Sequence, residues 1–287
     1  MSGSYDAEIS RQNPGCILFL LDQSGSMNDS FAGDRATRKA NAAADAINKL
    51  LMTLVLRCTQ NIGEGPRNYF DVGVIGYGSR SGAGPCFGES LQGRTLVSIA
   101  ELADSQLRVE DRRRKVSDGA GGLVDTVVKF PVWFDPVAEN GTPMLEAMQL
   151  ACRTLQPWVA EHKKSYPPIV INITDGEPNA DPTGEAKALT GLKTDDGSVL
   201  LYNLHLSSPS LSPIFYPSSS AGLPDNFAKM LFEMSSVFPP QIRQELELDG
   251  HPVDAVARGF VLNADAVALI QFLDIGTRIL RGSAEDR

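Results

Sequence analysis

Histidine is scarce in this 287-residue chain. His162, His205 and His251 are scattered, so no Ser-His-Asp or Cys-His arrangement can be argued from their order, and each reads as a surface or structural residue. Cysteine is scarce as well. Cys16, Cys58, Cys86 and Cys152 form no C-x-x-C pair, which removes support for a zinc ribbon. They read as small apolar residues kept reduced. No G-x-x-x-x-G-K-[ST] is present, so direct nucleotide hydrolysis is unsupported. No apolar run approaches the roughly 18–20 residues needed to span a bilayer. The segment Met1–Asn13 is polar, carries Asp6 and Glu8, and lacks the layout of a secretory signal. A cytosolic protein with no membrane partner is expected. Positive charge is in deficit too: the formal net charge is −9. That argues against a dedicated nucleic-acid binder, whose affinity comes mostly from neutralising phosphates. It suits a protein that recruits cations or basic partners.

What is present is enough apolar material for a sizeable core, 42% of the residues. Cys16–Leu21, Tyr69–Tyr77, Pro168–Thr174, Val199–Leu206 and Gly259–Leu262 read as strands, with Pro168–Thr174 taken as fully apolar. Helices are expected over Ala36–Cys58, Pro143–Leu155, Gly184–Leu192, Asn226–Phe238 and Ala264–Leu280. In Ala36–Cys58 the apolar residues recur at three and four spacing. Thr142 is the expected cap of the second helix, with Pro143 in its first turn, and Asn263 that of the last. Apolar strands separated by helices predict an α/β fold: a doubly wound, mostly parallel sheet covered on both faces.

The expected domain runs over residues 14–281, between frayed tails at 1–13 and 282–287. Two stretches break the alternation and read as insertions with some structure of their own. One, about 78–122, is rich in Gly and Ser and contains Arg112-Arg113-Arg114-Lys115. The other, about 207–224, is a Ser/Pro segment around Phe215 and Tyr216. It follows a strand directly and should emerge at the carboxyl edge of the sheet, where ligand sites of open α/β sheets lie.

Three pieces of sequence converge on one chemistry. The strand Cys16–Leu21 ends in Asp22-Gln23-Ser24-Gly25-Ser26. Gly141-Thr142-Pro143 precedes a helix, and Asp175 follows a second apolar strand. Asp22, Ser24, Ser26, Thr142 and Asp175 together offer two carboxylates and three hydroxyls. All are hard oxygen donors, which favours Mg²⁺, with Mn²⁺ or Ca²⁺ as alternatives, over zinc or copper. Two aspartates balance one divalent cation without overloading it. A cation so held keeps a position open for water or for an external carboxylate.

These residues, with their flanks FLLDQSGSM, NGTPMLEA and IVINITDGEP, resemble the von Willebrand factor type A (vWA) domain and its metal-ion-dependent adhesion site. The likeness covers nearly the whole chain outside the two insertions, and the five residues fill the motif in order. The resemblance implies that Ser24, Ser26 and Thr142 ligate the metal directly in at least one state. It implies that Asp22 and Asp175 act directly or through water. It further implies that a protein partner's Glu or Asp completes the coordination. Within the family the chain looks most like the bacterial intracellular branch that includes tellurite-resistance-associated proteins. Such proteins often operate beside kinases, phosphatases or AAA+ ATPases of the MoxR type. The expected function is therefore a metal-dependent protein-interaction module and not an enzyme. A regulatory subunit of such a system, with Ala264–Leu280 as its moving part, is the alternative.

Other readings stay open at this level. A lone D-x-S-x-S would be weak, because Asp and Ser crowd turns after strands. Asp22 at a strand tip also suits a phosphate-transferring hydrolase with an Asp nucleophile, but Ser24 stands where that chemistry wants a second acid. Arg112–Lys115 reads as a solvated loop or as a dock for an acidic partner. Trp133 and Phe134 read as packing or as an apolar contact beside the metal. Specificity is expected in Glu177–Ala180 and the two insertions.

Overall fold

Every residue of the first strand, β1 (Gly15–Asp22), is buried. Ile17, Phe19 and Leu21 belong to one core, and Cys16, Leu18 and Leu20 to another. A strand apolar on both faces must be covered from both sides, the usual situation of a parallel sheet. The computed structural model, which describes residues 4–61, 63–79, 82–117 and 123–278, meets that demand.

After β1 come a 3-10 turn (Gly25–Asn28), the short strands β2 (Ser30–Phe31) and β3 (Asp34–Arg38), and helix α1 (Lys39–Cys58). Then follow β4 (Phe70–Ser79), β5 (Gly82–Pro85), β6 (Val97–Ser98), α2 (Ile99–Ala103), β7 (Arg108–Ser117) and β8 (Leu123–Val132). The second half carries α3 (Met144–Glu161), β9 (Ile169–Thr174), α4 (Thr183–Gly191), β10 (Leu200–Leu206) and β11 (Ile214–Phe215). It ends with α5 (Asn226–Met234), α6 (Pro240–Leu248), β12 (Phe260–Ala264) and α7 (Ala266–Arg278).

The main sheet has the order β11-β12-β10-β9-β1-β4-β5, with β6 also pairing β4. Its five central strands run parallel, and β11, β5 and β6 join antiparallel at the margins. Helices α1, α2, α6 and α7 feed one core and α3, α4 and α5 the other. The expected doubly wound, mostly parallel α/β architecture is the one observed. From β1 the chain moves to β4 on one side, and from β9 to β10 on the other. The order thus reverses between β1 and β9. The crevice outside the carboxyl ends of strands at such a reversal is where ligands of open α/β sheets bind. No helix among the described residues is long and apolar enough to cross a membrane.

Several elements differ from expectation. Helix α1 starts at Lys39, not Ala36, because Asp34–Arg38 pairs with β2. Helix α3 continues to Glu161 past the expected end at Leu155, and carries Pro157 inside it. The helix expected over Asn226–Phe238 is divided. It ends at Met234, Val237 bridges to Arg258, and Pro239 leads into α6. Helix α7 is capped by Asp265, whose Oδ1 accepts the Ala268 N–H at 2.8 Å, while Asn263 lies in β12 with φ +56°. The strand taken as fully apolar contains Asn172, buried in its middle. Tyr77 Oη donates to Asn172 Oδ1 at 2.8 Å, and Asn172 Nδ2 to Asn203 Oδ1 at 2.9 Å. Asn203 Nδ2 in turn reaches Ser235 Oγ at 3.0 Å. This polar chain crosses from β4 to the end of α5 with its members satisfied.

The basic run lies in a strand and not in a solvated loop. β7 pairs with β8 over ten residues, and Arg112 stacks on the Phe130 ring at 3.6 Å while reaching Asp45 of α1 at 2.9 Å. In the Ser/Pro stretch, β11 pairs antiparallel with β12 and Tyr216 is buried against Phe238 and Phe272. Residues 4–13 are held where fraying was expected. Asp196 accepts the backbone N–H groups of Asp6 and Ala7, and Ile9 is buried. Residues 282–287 lie outside the described residues.

Candidate metal centre

Strand pairing brings the two aspartates together. β1 and β9 run side by side with Leu21 opposite Ile173, so both deliver their next residues to the same edge. Asp22 is fully buried there. Its Oδ1 accepts the Ser24 N–H at 2.9 Å and its Oδ2 the Thr174 hydroxyl at 2.7 Å. Ser24 and Ser26 turn back over it with their hydroxyls 3.1 Å apart. Ser26 Oγ donates to Asp175 Oδ1 at 2.7 Å, a contact across 149 residues of sequence.

The loop that carries Thr142 is docked onto the Asp22–Ser26 turn and onto β4 by backbone bonds. Glu139 N–H donates to Gln23 O at 2.8 Å, Gly25 N–H to Asn140 O at 2.8 Å, and Asn140 N–H to Gly78 O at 3.0 Å. The backbones approach so closely that a Cβ on Gly25 would sit 2.7 Å from Glu139 O. Gly78 is doubly constrained. It has φ +110°, and a Cβ would lie 2.6 Å from Gly141 O and 2.7 Å from Ser24 N. This clamp carries Thr142 to the site. A Cβ built on Gly176 would be 3.6 Å from Ser26 Oγ and 3.7 Å from Thr142 Oγ1, so both hydroxyls border the same small space. Thr142 does not cap α3, contrary to expectation; that helix begins after Pro143 with no side-chain cap. Asn179 braces the loop, its Oδ1 accepting the Thr142 N–H at 3.0 Å while its own N–H donates to Thr142 O at 3.0 Å. All five residues expected at the site thus gather at one edge.

Two neighbours were not anticipated. Thr174 is a direct partner of Asp22, and Lys39 is a buried cation beside Asp175. Lys39 Nζ lies 2.6 Å from Asp175 Oδ2, with both side chains at most 4% exposed. A lysine at a helix start reads as solvated, and nothing local in the sequence signals otherwise. Among the described residues no basic side chain pairs with Asp22. Burial pushes its carboxyl up to about 6 from the usual 3.8, against the pull of the Thr174 and Ser24 hydrogen bonds and with a small further rise from Asp175.

The donor set fits a hard divalent cation. It consists of oxygens alone, and it includes a buried carboxylate whose charge no ammonium or guanidinium balances. Among the described residues there is no cluster of three or more His, Cys, Asp and Glu side chains that could hold a metal. Trp133 and Phe134 are packing residues; both are 2% exposed, and Trp133 Nε1 donates to Leu102 O at 2.7 Å. A cavity of about 380 Å³, which none of the five donors lines, is bordered by Gln23, Cys86, Leu107, Phe134 and Asp135.

No protein-family model matches the sequence, and no curated protein sequence matches it. Among solved structures, the manganese-loaded TRAP protein of Plasmodium vivax aligns over 91% of this chain and 72% of that one. The identity is 14% and the TM-score 0.42.

Proposed function

We propose that this chain is a protein-recognition domain of the vWA type, which holds a divalent cation, Mg²⁺ in the first instance, and through it a partner's carboxylate. The observation that carries the reading is the meeting of Asp22, Ser24, Ser26, Thr142 and Asp175 at the switch point of the sheet, in the pattern that resembles the adhesion motif. Ser24, Ser26 and Thr142 would supply hydroxyl oxygens, and Asp22 and Asp175 the compensating charge. The bound cation would supply a Lewis-acidic position for one external anionic oxygen. The chain's own part is preorganisation. Thr174 and the Ser24 N–H orient Asp22, and the backbone clamp through Gly25, Gly78 and Asn140 fixes Thr142. The role assigned here is recognition, because the donors that meet are oxygens suited to hold a cation and leave one position for an external acid.

The test is a displayed-peptide selection on the purified chain in Mg²⁺. The expected winners carry an essential Glu or Asp and are released by EDTA. Binding should disappear in Asp22→Ala and Asp175→Ala. Binders indifferent to EDTA and to both substitutions would refute the reading. So would hydrolysis of p-nitrophenyl phosphate by the wild-type chain in Mg²⁺ that Asp22→Ala abolishes.

A further inference from the structure

Lys39 occupies an unfavourable place for a lysine. It is the first residue of α1, where the helix dipole already contributes positive charge, and its side chain is only 4% exposed. Lysines are almost never so buried unless paired. The pairing here is specific. Nζ lies 2.6 Å from Asp175 Oδ2 and 3.5 Å from Ser26 O. The other oxygen of that carboxylate, Oδ1, accepts the Ser26 hydroxyl at 2.7 Å. Both oxygens of Asp175 are therefore engaged, one of them by a full positive charge shielded from water, where screening by salt is weak.

We propose that Lys39 is the internal counter-cation of the site: its ammonium competes with a divalent ion for the Asp175 carboxylate and so sets the site's affinity for that ion. The inference rests on the proposed metal-binding reading and deepens it. With Asp22, Asp175 and Lys39 the protein side carries one net negative charge instead of two. An entering divalent ion meets weaker attraction and must draw an Asp175 oxygen away from Nζ. Removing the ammonium while keeping the length and apolar stem of the side chain should therefore strengthen cation binding. Replacing it by another cation should not.

The experiment is isothermal titration of the EDTA-stripped, dialysed full chain with MgCl₂ and, in parallel, MnCl₂. Lys39→Met is expected to bind at least about tenfold more tightly than wild type, and Lys39→Arg to stay within about threefold of it. Equal or weaker binding by Lys39→Met overturns the proposal. If Asp22→Asn still abolishes that binding, the metal reading stands without it. Absence of binding by both wild type and Lys39→Met overturns the metal reading and this inference together. A second measurement uses wild type alone. Acetylation of Lys39, followed by peptide mass spectrometry, should rise several-fold when Mg²⁺ saturates the site. Labelling unchanged at saturation overturns the proposal even if Lys39→Met fails to fold.

Discussion

Replacing Asp22 by asparagine should make the cation-free protein more stable while ending its response to Mg²⁺. The buried carboxyl titrates near 6 in the fold against 3.8 for an ordinary aspartate. At 1.36 kcal/mol per pH unit, ionised Asp22 costs about 3 kcal/mol once the pH is well above its folded value. The sign follows from the raised value. Below 3.8 the carboxyl is neutral in both states and costs nothing, and stability drains away as pH rises through about 6. The amide removes that cost. It keeps an oxygen for the Ser24 N–H, and its new NH₂ faces the Thr174 hydroxyl, which can turn to donate to Gly176 O, 3.2 Å away. Allowing about 1 kcal/mol for the weakened contact, the net gain is about 2 kcal/mol at pH 8 in EDTA. Urea denaturation of wild type and Asp22→Asn in EDTA, at about pH 8 and about pH 4, measures it. The gain should be present at the higher pH and nearly vanish at the lower. In saturating Mg²⁺ wild type should recover through ligand linkage and the variant should not. A variant less stable than wild type at pH 8 in EDTA would refute the argument that this carboxylate is uncompensated.

Three further outcomes are expected. Gly78→Ala combines a positive φ with backbone contacts at 2.6 and 2.7 Å and should cost at least about 3 kcal/mol, seen as a lower Tm and weaker Mg²⁺ binding. Burial lowers the His205 pKa below 6.5, and its Nδ1 accepts the Asn263 N–H at 3.3 Å, so the ring's contribution is present above pH 6.5 and lost on acidification. His205→Asn should therefore lose less Tm than wild type between about pH 7.5 and about pH 5. Arg112→Ala removes the stacking on Phe130 and the bond to Asp45, and should cost about 1–2 kcal/mol and speed proteolysis within β7–β8.

The parts of the fold that sequence revealed are those where local pattern and final environment agree. Ile17–Leu21 is apolar at every position because both its faces are covered, and Asp22-Gln23-Ser24-Gly25-Ser26 follows it directly. The five candidate donors were legible as candidates because each sits beside a strand or helix end with a recognisable signature. Lys39 and Thr174 escaped because their roles depend on partners far away in sequence: 136 residues for Lys39 with Asp175, and 152 for Thr174 with Asp22. The basic run escaped for a related reason. Arg112–Lys115 looks like a loop until β8 lies beside it, and Arg112 gains its ring partner only from that pairing. Helix α6 was missed because two prolines, Pro239 and Pro240, mark a break as readily as the start of a new helix.

The backbone clamp has a consequence for biogenesis. The hydroxyls of Ser24 and Ser26 are synthesised early, yet they are oriented by Glu139 and Asn140, by Asp175, and by a loop that Asn179 braces. During vectorial synthesis the first loop must therefore wait, without its final geometry, until the residues through Asn179 have left the ribosome. If the proposed function holds, a carboxylate-bearing partner should be unable to capture nascent or carboxyl-terminally truncated fragments. Cation-dependent binding would then double as a certificate that the parallel sheet has closed.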